Sequence, residues 1–209
     1  MLKSLSNNRK TGIYFPLLLS LMLAALSTSC GFKTKTETIS LGERPIKVIA
    51  VLPVVDKTAS PATALRLRDK VINFLYFKGY PRIRAAEVDR VIAASRIQGA
   101  SEPERARLLA ALGADALLVI TLVKAQTSSK LLYSTVDLEI SLALFASGIP
   151  EALWQTRQEK ASTFLAFSEE GKTRALHWHL EPLLEELIDR SLAPLPDGPL
   201  LTVNKKTKE

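Results

Sequence analysis

Three groups of residues in this chain have side chains that could do chemistry. His177 and His179 flank Trp178, with Glu181 close behind. Two imidazoles and a carboxylate are metal ligands by type, but side chains two apart on a helix point to opposite sides. A helical zinc pair needs a spacing of four, and no third or fourth ligand is offered, so no metal site is expected. Asp56, Lys57, Thr58 and Ser60 follow an apolar run, at the carboxyl end of an expected strand, which is where open α/β sheets place ligands. They form a candidate ligand loop, yet it contains no glycine and so neither a P-loop nor a GxGxxG cradle. The plainer reading is an Asx turn leading into a helix cap. Asp137 and Glu139 could serve as an acid/base pair, but no GxSxG motif or triad partner accompanies them, and solvated strand residues account for both. No catalytic residue and no cofactor is expected, and the chain does not read as an enzyme.

The remaining reactive group is Cys30, the only cysteine, at the end of the pentapeptide LSTSC. Lys3, Arg9 and Lys10 precede it without any acid, followed by an apolar run over 12–25 and small residues at Ser27 and Ser29. This is the pattern of a secretory signal. The run is shorter than the roughly 20 residues a membrane span requires, and Pro16 interrupts it. Ordinary secretory cleavage could use the same small residues. Leu26, Ser27, Thr28 and Ser29 before Cys30 also resemble a bacterial lipobox, with Ser27 where the strict pattern has Leu or Val. The resemblance implies residues 1–29 as a lipoprotein signal peptide, cleavage between Ser29 and Cys30, a diacylglyceryl group on the sulfur and an acylated amine. Several acyl chains together hold a protein stably on a membrane. Gly31 in place of Asp implies, by similarity to enterobacterial sorting rules, the periplasmic face of the outer membrane.

The 180 residues after Ser29 suffice for one ordinary domain. With no second cysteine, its core must rest on packing alone. The net charge of +7 falls to +4 without the three leader cations, and Lys205, Lys206 and Lys208 sit in the tail. The body is close to neutral, which is no footprint for nucleic acid. Residues 30–44 read as the lipidated cysteine and a polar tether, 45–193 as a single domain, and 194–209 as a disordered basic tail.

Positioning elements follow from periodicity. IKVIAVLPVV, opened by Pro45, is a near-continuous apolar run, as in a strand buried on both faces. Ser60-Pro61 reads as an N-cap with proline at the first helical position, and apolar residues from Leu65 to Phe77 recur at helical spacing. YPRIR is short enough for a strand. Helices are expected over 87–97 and after Ser101, whose spacing to Glu104 is that of a capping box, with Gly113 closing the second. A strand over 116–124 and a polar turn at 127–130 lead to strict alternation of Val136, Leu138, Ile140, Leu142 and Leu144 with polar residues. A third strand around ALWQTRQEKAS and a helix over 172–192, disturbed near Pro182, complete the order β-α-β-α-α-β-β-β-α. The expected fold class is α/β, a mixed sheet in a three-layer or two-layer sandwich.

KVIAVLPVVDKT (47–58), GADALLVITLVK (113–124) and ALWQTRQEKAS (152–162), with Leu153 and Trp154 in the last, resemble a family of bacterial envelope lipoproteins. That family is related in fold to the curli-secretion lipoprotein and the TolB amino-terminal domain. These are packing motifs, and they bring no catalytic residues. The resemblance implies an anchored scaffold or accessory protein in an envelope secretion, transport or assembly system. Its partners would be other envelope proteins and further copies of itself. The hairpin over 116–146 reads as ordinary in length, which does not fit pore formation. Activation of a peptidoglycan synthase is an alternative, as is ligand binding or hydrolysis at the Asp56 loop. Phe164, Leu165 and Phe167, where periodicity does not demand apolar residues, form either a lid over the core or an exposed interface.

Overall fold

A computed structural model describes residues 33–38, 46–95, 97, 101–130, 133–165 and 168–201. In chain order the elements are β1 (Lys33–Thr38), β2 (Ile49–Val51), β3 (Val55–Asp56), α1 (Pro61–Phe77), α2 (Ala85–Ser95), α3 (Glu102–Leu112), β4 (Ala116–Ser129), β5 (Tyr133–Ala146), β6 (Trp154–Leu165) and α4 (Glu169–Leu192). The mixed sheet runs β1-β6-β5-β4-β2, with β3 also paired to β4. β2 and β3 lie parallel to β4, and all other pairings are antiparallel. Pro53, which has no N–H to donate, falls between β2 and β3. The register of the parallel edge is fixed by Asp115. Its carboxylate accepts from the N–H groups of Lys47 and Val48, each at 2.9 Å, while its own N–H donates to the Val48 carbonyl at 2.9 Å.

Alternation along β5 decides the layers. Val136, Leu138, Ile140, Leu142 and Leu144 are buried beneath α1 and α4, whose Leu67, Val71, Leu184 and Leu187 join the same core. Burying each such side chain contributes about 1.5–3 kcal/mol, and in a chain without disulfides this term dominates. On the opposite face α2 and α3 pack Val88, Leu108 and Leu109 against Ala50, Leu52 and Leu117. The sandwich therefore has three layers at the β2 end and two along the rest of β5 and β6. Both alternatives expected from the sequence occur, at different ends of one sheet. Arg68 ties the two helical layers together. It is only 5% exposed and bonds to the Asp89 carboxylate at 2.8 Å and the Val51 carbonyl at 3.1 Å.

The element order departs from expectation in four places. Residues 33–38, expected in the tether, are the edge strand β1, paired to β6 from Lys33↔Glu159 to Thr38↔Trp154. The segment YPRIR is not a strand. Pro81 lacks a donor, and the neighbouring backbone is claimed elsewhere: Gly198 N–H donates to Lys78 O at 2.7 Å and Leu200 N–H to Gly79 O at 3.1 Å. The same bonds correct the reading of the carboxyl terminus, since residues 194–201 are docked rather than disordered. Leu195 is 3% exposed, and Tyr80 Oη donates to the Pro196 carbonyl at 3.0 Å. Residues 202–209 lie outside those described. Finally, β4 and β5 run 14 residues each, well beyond the usual strand of about 5–6. The length argument against a pore falls with that, but one face of both strands is committed to the core under α1 and α4.

The docked carboxyl-terminal segment depends on two glycines in backbone contact. A Cβ on Gly198 would lie 2.4 Å from the carbonyl of Gly79 and 2.6 Å from Tyr80 N. Gly198→Ala is therefore expected to cost about 1–3 kcal/mol in urea unfolding by overpacking. Gly148→Ala, at φ +75° with nothing within 4 Å, should cost only about 1 kcal/mol for its left-handed backbone. Equal stability of wild type and Gly198→Ala would show that the segment is not docked.

Candidate functional site

The Asp56 loop holds its carboxylate in its own backbone. Asp56 Oδ1 accepts from the Thr58 N–H and the Thr58 hydroxyl, each at 2.7 Å, and Oδ2 accepts from the Ser60 N–H at 2.7 Å. These bonds, the Thr58 hydroxyl first, hold the Asp56 carboxyl below the ordinary carboxylate range. Ser60 stands at the N-cap of α1 with Pro61 following, as its sequence suggests, but makes no side-chain cap bond. Asp56, four residues before the capped helix turn, takes the N–H of Ser60 instead. Ala59 sits at φ +56°, and Lys57 N–H donates to Leu122 O at 3.0 Å, continuing the edge pairing. The loop is a built Asx turn whose acceptors are spent on the chain itself.

On the open face of the sheet, Asp137 and Glu139 belong to a ladder of ions. Lys124 Nζ contacts Asp137 and reaches Glu159 at 3.3 Å, and Arg157 Nε contacts Glu139. The Asp137 contact chiefly raises the Lys124 ammonium above its ordinary value, and Glu139 does the same for Arg157. Each carboxylate of the pair is therefore bonded to a cation across the sheet. The side chains of Lys124 and Asp137 are 30% and 26% exposed, and a pair that open to water contributes about 0–1 kcal/mol. Alternation in β5 marked Asp137 and Glu139. Their partners Lys124, Arg157 and Glu159 became legible only with the register Lys124↔Glu139↔Glu159.

His179 packs against β6. Its ring stacks on Phe164 with centroids 4.6 Å apart, and Nδ1 is 3.2 Å from the Ser162 hydroxyl. The side chain of His177 lies outside those described. Among the described residues no group of three or more His, Cys, Asp or Glu could hold a metal. Of the three residues expected as lid or interface, Phe164 is 7% exposed and packs in the core, whereas Leu165 is 70% exposed. Phe167 lies outside the described residues. Trp178, passed over in the sequence as the residue between two histidines, is 72% exposed on α4.

Cys30 is also outside the described residues, but its place in the chain carries weight. Only two residues, Gly31 and Phe32, separate it from Lys33, the first residue of β1. That span is at most about 10 Å long. Among the described residues no helix is long and apolar enough to cross a membrane.

The fold and these sites define a mixed-sheet α/β domain, with no assembled catalytic constellation among the described residues. No family model and no curated protein sequence matches the chain. Among solved structures it is similar to the PelC dodecamer from Paraburkholderia phytofirmans. The identity is 14%, the match covers 80% of this chain and 99% of that one, and the TM-score is 0.52. A point variant of the PelC dodecamer from the same organism gives 14% identity, the same coverage and a TM-score of 0.54. Lipoprotein GNA1162 from Neisseria meningitidis matches at 20% identity over 67% of this chain and 99% of its own, with a TM-score of 0.49. The likeness to PelC is one of fold.

The Asx turn gives a pH signature with a definite sign. Because folding lowers the Asp56 pKa, its stabilisation is present above the ordinary carboxylate value and is lost as pH falls through the lowered one. Asp56→Ala is expected to lower the melting temperature at pH 7. The gap to wild type should narrow only in strongly acidic buffer. A gap independent of pH down to pH 2 would separate Asp56 from this role.

Proposed function

We propose that the chain is a lipid-anchored, non-catalytic accessory protein of the bacterial envelope, held by acylated Cys30 on the periplasmic face of the outer membrane. The observation that carries the reading is the LSTSC pentapeptide, whose cysteine stands three residues before the first strand of the domain. Cleavage between Ser29 and Cys30 would leave the acylated residue three positions before Lys33 in the chain. The functional partners are membrane lipid, other envelope proteins and further copies of the same chain. The last is supported by a fold shared with a protein that assembles as a dodecamer.

Two other readings have less support. A synthase activator reaching across the periplasm needs a long tether, and β1 takes up six of the residues that would supply one. A ligand-binding or hydrolytic loop at Asp56, Lys57, Thr58 and Ser60 needs convergent free polar groups, and the Asp56 carboxylate is already bonded to Thr58 and Ser60.

Growth with a clickable fatty-acid analogue tests the anchor. Wild type should take up label and give a mature mass beginning at Cys30, and Cys30→Ser should take up none. Equal label in both, or none in either, contradicts the reading. Native mass spectrometry from detergent should give a multiple of the protomer mass, and a monomer at all concentrations would remove self-assembly from the proposal.

A further inference from the structure

The outer edge of β4 is open over the second half of the strand. β3 pairs with β4 only at Thr121 and Leu122, and Lys57 N–H closes that pairing on Leu122 O at 3.0 Å. From Lys124 to Ser129, β4 pairs among the described residues with β5 alone. The turn that follows fixes which backbone groups face outward. Lys130 N–H donates to Tyr133 O at 2.8 Å, which makes these two a hydrogen-bonded pair. In an antiparallel ladder such pairs alternate with non-bonded ones. The register is unbroken from Lys124↔Glu139 to Ser129↔Ser134, so Lys124, Gln126 and Ser128 bond to β5. The N–H and C=O groups of Ala125, Thr127 and Ser129 therefore point to the open edge.

Native sheets keep their edges from pairing with other chains by charge, proline or a covering group. β1 has a charged residue at alternate positions of KTKTET, and at the parallel edge Arg68 occupies the Val51 carbonyl at 3.1 Å. The β4 edge carries none of these devices. Residues 125–129 read AQTSS, without charge or proline, and Gln126 to Ser129 are exposed. The stretch is also its own complement. Two copies set antiparallel about a two-fold axis at Thr127 bring Thr127 opposite Thr127 and Ala125 opposite Ser129. Every outward N–H and C=O of both edges then meets its counterpart as a bonded pair. Hydroxyl side chains face one another across such a junction favourably. Lys124 meets Lys130 only at the margin, where its ammonium is already held by Asp137 and Glu159.

We propose that the outer edge of β4 over Ala125–Ser129 binds the same edge of a second copy of this chain, so that one sheet runs through both. This rests on the self-assembly proposed above and names the surface that makes it. The outward groups set the register, because a slip of one residue would bring them against groups already bonded to β5. The contact is isologous, with the same patch used on both copies. Assemblies built on it contain an even number of protomers.

Thr127 stands on the axis, which gives a test on the full chain in detergent. The Cα atoms of a hydrogen-bonded antiparallel pair lie about 5.5 Å apart, within the reach of a disulfide. Thr127→Cys should cross-link to a dimer on mild oxidation. Gln126→Cys, off the axis, should not, and wild type with Cys30 as its only cysteine sets the background. Thr127→Pro removes an outward donor and leaves every bond to β5, so circular dichroism should stay that of wild type while native mass spectrometry shows the assembly halved. Thr127→Lys keeps that donor and sets two ammonium groups face to face, which should weaken the pairing about tenfold or more. Unchanged mass in Thr127→Pro and Thr127→Lys, with no cross-link through Thr127→Cys, overturns the inference and leaves self-assembly to another surface. Equal cross-linking of Gln126→Cys and Thr127→Cys marks chance collision and also overturns it. A wild-type monomer at all concentrations removes self-assembly and this inference together.

Discussion

The pairing of β4 with β5 is the interaction on which the other elements depend. Two strands of 14 residues lie in register from Ala116↔Ala146 to Ser129↔Ser134, with one irregularity between Leu122 and Lys124. A one-residue slip would turn Val136, Leu138, Ile140, Leu142 and Leu144 to water and bring Asp137 and Glu139 under α4. The burial of five apolar side chains opposes that slip, and the ion ladder on the other face adds only surface-strength attraction. Every other part is hung from this pair. β6 and then β1 extend it on one side, the parallel edge held by Asp115 on the other, and α4 folds back along β6 to cover the core.

Much of this architecture was legible in the sequence where one signal acted alone. The strict alternation over Val136–Leu144, the Ser60-Pro61 helix start and the Gly113 stop at φ +60° each have a single local cause. What escaped was decided at long range. KTKTET alternates Thr with charge, which is the composition of an edge strand that resists pairing with other chains, but its polarity hid it as a tether. The docking of 194–201 depends on Gly198 meeting Gly79, far apart in sequence and invisible to periodicity. YPRIR has apolar and β-forming residues, yet its neighbouring backbone partners were already taken by that docking. Of the site residues, the Asp56 turn could be anticipated from its Asp-x-Thr-x-Ser spacing. Trp178 could not, because its exposure is set by how α4 lies on the sheet.

The candidate carboxylates Asp56, Asp137 and Glu139 share one feature, which is that each is already engaged within the fold. Asp56 is bonded to Thr58 and Ser60, Asp137 to Lys124, Glu139 to Arg157, and Arg68 to Asp89. Glu181 and Glu186 are held by Lys70 and Lys160, contacts that lead in lowering both carboxyls below their ordinary values. The chain is also used sparingly at the amino end of the domain, where the described sheet begins at Lys33.

Hydrogen exchange of residues 33–38 tests that last point most directly. Pairing of β1 with β6 predicts alternating protection, with slow exchange at the amides facing β6 and fast exchange at those facing the open edge. Uniformly fast exchange across 33–38 would contradict it, making those residues a free tether.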